Sequence, residues 1–122
     1  MANYDIILKW SQLIPFTFDE VSKLAINGVA GVYRISKKEP DGKFYVVFIG
    51  STVDLDKELL ELISNKNNNF LKQDGEFSFR YAPVDKGEET RKAIEKQMYK
   101  QYVPKYNTKE PISSLDVKVN LN

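Results

Sequence analysis

Residues 31–50 read G-V-Y-R-I-S-K-K-E-P-D-G-K-F-Y-V-V-F-I-G, and the fold class turns on them. Gly31 to Ser36 has the β-branched and aromatic content of a strand. Glu39-Pro40-Asp41-Gly42 supplies turn chemistry, with proline setting φ and glycine accepting a positive φ. Phe44 to Gly50 is apolar on both alternating sides, the pattern of a central strand covered on two faces. The two segments together predict an antiparallel hairpin.

Upstream of the hairpin, residues 4–10 read as a short strand or a helical turn, and Pro15 breaks the chain. Thr17 and Glu20 have capping-box spacing. Val21, Leu24 and Ala25 give the following helix its buried side, and Asn27-Gly28 ends it. Downstream, Ser51-Thr52-Val53-Asp54 leads into a helix from Leu55 to Ser64, with Leu55, Leu59, Leu62 and Ile63 inward. Residues 65–76 are Asn-rich and lack periodicity, so they read as a mobile loop pinned by Phe70 and Leu71. Phe77, Phe79 and Tyr81 alternate with Ser78 and Arg80 to give a third strand, which Pro83 ends. Lys86-Gly87 turns the chain into a last helix that stops before Pro104. In the tail, Leu115, Val117, Val119 and Leu121 alternate strictly with polar residues. That predicts an edge strand, added to this sheet or to another subunit.

The expected class is therefore α+β, with a small mixed or antiparallel sheet (the hairpin plus a third strand) flanked by helices, and an extra C-terminal edge strand. No repeat or linker interrupts the chain, so residues 1–122 are read as a single domain.

Composition narrows the chemistry. The chain has no cysteine and no histidine. Thiol nucleophiles, thiolate zinc sites and a Ser-His-Asp triad are thereby excluded, and any hydrolysis must rest on carboxylates, Tyr, Lys or Arg. A net charge of +1 does not by itself announce a nucleic-acid binder. No bilayer-spanning run or signal peptide is visible, and the expectation is a cytoplasmic protein without a membrane partner.

One residue breaks the pattern of the last helix. At about 100° per residue, Ile94, Met98, Tyr99 and Tyr102 form an apolar stripe, and Glu95 falls inside it. A carboxylate there is costly unless something pairs with it. Arg91, four residues earlier, is a candidate partner, as is a tyrosine hydroxyl.

These residues resemble the GIY-YIG nuclease domain family. Gly31-Val32-Tyr33 looks like its first motif, and Phe48-Ile49-Gly50 looks like its second. Ser51 to Leu55 is similar to its turn into the first helix. Glu95, followed by Met98, Pro104 and Tyr106-Asn107, matches its late helix and P-x-Y-N ending. The likeness covers residues 29–108. It implies phosphodiester hydrolysis with Mg²⁺ or Mn²⁺ held by Glu95 and with Tyr33 helping to activate water. It also implies an Arg on the helix after the second motif, a second Tyr lining the site, and Asn107 in support. Two positions depart from this: Phe48 stands for the second Tyr, and Glu58 stands where the Arg belongs. Lys57 points almost opposite the Leu55 stripe that Glu58 borders, and Tyr45, three residues from Phe48, is expected on the other face of its strand. Residues 54–61 carry a local charge of −3, which repels a phosphate backbone.

The readings stand side by side. Glu95 is a metal ligand or half of an ion pair. Tyr33 is a water-activating group or a half-buried strand tyrosine. Asp54, Asp56 and Glu58 superficially resemble a cation-binding run, but are better explained by Asp54 as an N-cap and the others as first-turn acids. Residues 86–109 carry a local charge of +4, and Lys92, Lys96 and Lys100 share a face. That face is a nucleic-acid contact, joined by Asn107, or simply solvated. The favoured expectation is a domain whose cleavage is lost or weakened and whose role is binding nucleic acid, DNA before RNA, or a protein partner. The alternatives are an active endonuclease using Tyr33 and Glu95 with Arg80 or Arg91 as the substitute cation, and a non-enzymatic protein that pairs or dimerises through its tail strand.

Overall fold

The hairpin forms with Gly31–Lys38 (β3) antiparallel to Phe44–Thr52 (β4), closed by Gly42 at φ 84°. The structure, a computed structural model, describes residues 3–24, 26, 28–64, 75–104, 106–107 and 116–121. The other elements are β1 (Asn3–Ile6), β2 (Ile14–Pro15), α1 (Phe18–Ser22), α2 (Leu55–Ser64), β5 (Phe77–Pro83), α3 (Glu88–Tyr102) and β6 (Asp116–Val119). The class is α+β: an antiparallel sheet in the order β2-β5-β3-β4 with three helices.

Local chemistry explains the boundaries. The Thr17 hydroxyl accepts the Glu20 N–H at 3.2 Å and starts α1. The Asp54 carboxylate accepts the Lys57 N–H at 3.2 Å and starts α2 in the same way. Helix α3 ends at Tyr102 with Val103 left-handed at φ 44°, its N–H bonded to the Tyr99 carbonyl, just before Pro104.

The sheet separates two cores. On one face Tyr33, Ile35 and Phe79 pack with Val21 of α1 and with Leu55 and Leu59 of α2. On the other, Val32, Ile49 and Ala82 pack with Ala93, Ile94 and Met98 of α3, and with Ile6, Leu8 and Leu121. Each fully buried leucine stabilises the fold by about 2 kcal/mol.

Four expectations change. First, β4 is an edge strand, not a central one. It reads as central because both its faces are covered. Its outer edge is met by the chain after α3: the Tyr106 N–H bonds the Val47 carbonyl at 2.9 Å, and the Asn107 side chain both donates to and accepts from the Ile49 backbone. Second, a bulge between Ile35 and Ser36 shifts the register, so that Phe48 pairs with Ile35 and Tyr45 with Lys37. Partners share a face, so the bulge brings Tyr45 to the side of Phe48. Its hydroxyl nevertheless goes to Asp41 in the turn. Third, α1 stops at Ser22, short of Leu24 and Gly28, while Ala25 and Asn27 lie outside the described residues. Fourth, the tail strand does not join the main sheet. β6 pairs in parallel with the chain's own β1 as a separate two-stranded sheet, which packs against α3 in the same core. The predicted loop lies outside the described residues except for Gly75 and Glu76. No helix among the described residues is long and apolar enough to cross a membrane.

Candidate functional site

The two motif glycines are space requirements. A Cβ at Gly31 would overlap the Ala82 carbonyl and meet Leu55 at 2.8 Å. A Cβ at Gly50 would overlap the hydroxyl end of Tyr33, its register partner on β3. Gly50 is therefore the floor on which the Tyr33 ring lies, and Tyr33 is 1% exposed. Phe48 adjoins it, with ring centroids 6.3 Å apart.

The Tyr33 hydroxyl donates to Glu58 Oε2 of α2 at 2.8 Å. Two facts make this pairing. Residues 33 and 35 of β3 face the α2 side, and Leu55 and Leu59 anchor α2 so that Glu58, at the edge of the same stripe, looks at the strand. Burial holds the Tyr33 phenol well above its ordinary pKa, and the Glu58 charge, the hydrogen bond to Glu58 and the more distant Glu95 charge push the same way. At neutral pH Tyr33 is a proton donor and not a base.

Glu95 lies on the core side of α3, as the helical wheel requires, and is 7% exposed. Its partners are not the expected ones. The Ser51 hydroxyl of β4 donates to Glu95 Oε1 at 2.6 Å, and the Lys92 ammonium lies 3.6 Å from the same oxygen. Among the described residues no ion pair joins Glu95 to Arg91. Sequence reasoning missed Ser51, although it follows Gly50 directly, because nothing local links it to a residue 44 positions away.

The remaining candidates fall in different places. Arg91 is buried and lines a cavity of about 80 Å³ with Ser51, Thr52, Glu88 and Lys92, beside Glu95. Arg80 pairs in register with Arg34, on the face away from Tyr33, and its Nε donates to the Ser11 carbonyl at 3.0 Å. The structure therefore does not bring Arg80 to Tyr33. Lys92 is held by Glu95, and along α3 Lys96 is partly exposed and Lys100 is exposed. Asn107 spends its amide on the backbone of Ile49, at 2.9 and 3.0 Å, which positions β4 beside Gly50.

One oxygen of Glu95 already accepts a hydroxyl and faces an ammonium. Among the described residues no three acidic side chains gather into a metal-binding group. Comparison with protein-family models, curated proteins and solved structures found no match.

Proposed function

We propose that this chain is a GIY-YIG-like domain that has lost or weakened phosphodiester cleavage and works by binding nucleic acid, DNA before RNA. The observation that carries the reading is the 2.8 Å hydrogen bond from Tyr33 to Glu58. Where the resemblance asks for a cation facing the phosphate, a carboxylate faces the tyrosine and accepts its hydrogen bond. An oxyanion developing beside Glu58 meets repulsion, and loss of one electrostatic stabiliser alone costs about 10²–10³ in rate. The binding half of the proposal rests on the Lys96 and Lys100 side of α3.

A second reading keeps activity, with Arg91 supplying the cation from the cavity beside Ser51 and Mg²⁺ or Mn²⁺ at Glu95. Plasmid nicking with either metal decides between the two. The proposal expects no nicking above that of a Glu95→Ala variant; nicking that depends on Glu95 overturns it. In gel shifts, affinity should fall steeply with salt and drop further in a Lys96→Gln/Lys100→Gln variant. No shift at low salt ends the nucleic-acid reading and leaves a protein partner.

A further inference from the structure

The opposite face of the sheet carries an arrangement that the Tyr33–Glu58 reading does not use. Arg34 is 6% exposed, in the middle of β3, and its register partner on β5 is Arg80. Like charges placed directly opposite on one face repel, and a buried cation is costly without a counter-charge. Among the described residues neither arginine has an acidic partner within ion-pair distance.

What Arg34 has instead is a neutral cradle. Its Nη1 donates to the Tyr102 hydroxyl at 2.6 Å and to the Leu121 carbonyl. Its guanidinium carbon lies 4.3 Å from the Trp10 ring centroid and 5.2 Å from that of Tyr102. These aromatic faces and carbonyl orient a planar fork without neutralising it. Burial lowers the Arg34 pKa from its usual value, Tyr102 opposes it, and the nearby Arg80 charge adds to the lowering.

Both arginines open onto one cavity of about 410 Å³. Its polar wall is Arg34, Arg80 and the buried Ser36; its apolar wall is Leu13, Phe44, Val46 and Tyr102. The volume lies in the range of small-ligand pockets. Two guanidinium groups and a hydroxyl on one side suit a group with several acceptor oxygens and more than one negative charge. The aliphatic and aromatic wall suits an uncharged organic portion attached to it.

We propose that this cavity is a binding site for a small phosphomonoester, whose phosphate sits between Arg34 and Arg80 and whose organic part lies against Phe44 and Tyr102. An anion there turns the repulsion between the two arginines into shared attraction. The site stands independently of whether Tyr33 and Glu58 ever supported cleavage.

Trp10 is the only tryptophan in the chain and is fixed by its indole N–H bond to the Asn120 carbonyl at 2.8 Å, so it reports on Arg34 directly. The test is a titration of Trp10 fluorescence with inorganic phosphate and then adenosine monophosphate, against chloride at matched ionic strength. Saturable responses are expected, tighter for the nucleotide. Arg80→Gln, with its fold checked by circular dichroism, should weaken both about tenfold or more. Should that variant unfold, Arg80→Lys keeps the charge, drops the fork and is expected to weaken binding several-fold. No phosphate response beyond chloride, or a response indifferent to Arg80, overturns the site. A nucleotide no tighter than phosphate overturns the assignment of the apolar wall.

Discussion

Tyr33 and Arg34 are neighbours on β3, yet the two faces of the sheet treat them oppositely. Toward α1 and α2, a neutral phenol is buried and donates a hydrogen bond to a carboxylate at the edge of the core. Toward α3 and the β1–β6 pair, a cation is buried among rings and carbonyl oxygen, opposite a second cation. The first arrangement is closed, since donor and acceptor satisfy each other. The second is open, since among the described residues no acidic group compensates the charge beside the cavity. A closed pair is a poor place for chemistry and a good place for stability, whereas an open pair invites a ligand.

The comparison can be broken most forcefully at the floor of the closed side. Gly50→Ala drives a methyl group into Tyr33, which has no free space to retreat into, and is expected to cost about 3 kcal/mol in a urea unfolding series. Combining it with Tyr33→Ala should cost less than the two single changes added together; strict additivity would show that Tyr33 is not what Gly50 accommodates. Asn107→Ala removes two hydrogen bonds from the buried Ile49 backbone and should cost about 2 kcal/mol by the same measurement.

Tyr33→Phe isolates the hydroxyl and should cost about 1.5 kcal/mol near neutral pH, the loss of a buried hydrogen bond to a carboxyl group. Its pH dependence sharpens the point. The folded phenol titrates well above 10.0, whereas the unfolded one ionises near that value. The native state therefore holds a proton that the unfolded chain releases. The resulting stabilisation is complete below pH 10 and is lost as pH rises from there toward the folded pKa. The gap in unfolding midpoint between wild type and Tyr33→Phe should accordingly narrow as pH rises above 10. A constant gap would mean that the hydroxyl is not the buried donor described. The smallest effect is expected at the rim of the other face. Lys92→Gln removes an ion pair whose lysine side chain is 38% exposed, and should cost about 0.5 kcal/mol or less, the Ser51 hydroxyl remaining on Glu95.

Helix and strand identities were legible wherever neighbours in sequence settle them. The capping geometry of Thr17 and Asp54, the turn at Gly42 and the apolar stripes of α2 and α3 all involve residues within about one helical turn or one hairpin. The helical wheel alone put Glu95 on the core side of α3. The identity of its partner was not legible, because Arg91 is near in sequence whereas Ser51 is near only after β4 packs on α3. Arg34 carried a signal that went unread. A charged residue amid the apolar positions of a strand covered on both sides must find an unusual environment.

What the sequence determined by itself is the hairpin, the third strand and the two longer helices, with the inward stripe of each helix, because these follow from fixed backbone periods. Tertiary structure decided everything that depends on pairing. It made β4 an edge strand and reset its parity with one bulge. It gave β6 the chain's first strand as its partner. It also joined Tyr33 to Glu58 and set Arg34 against Arg80. Such choices sum many weak contacts between distant segments, and no local pattern encodes that sum.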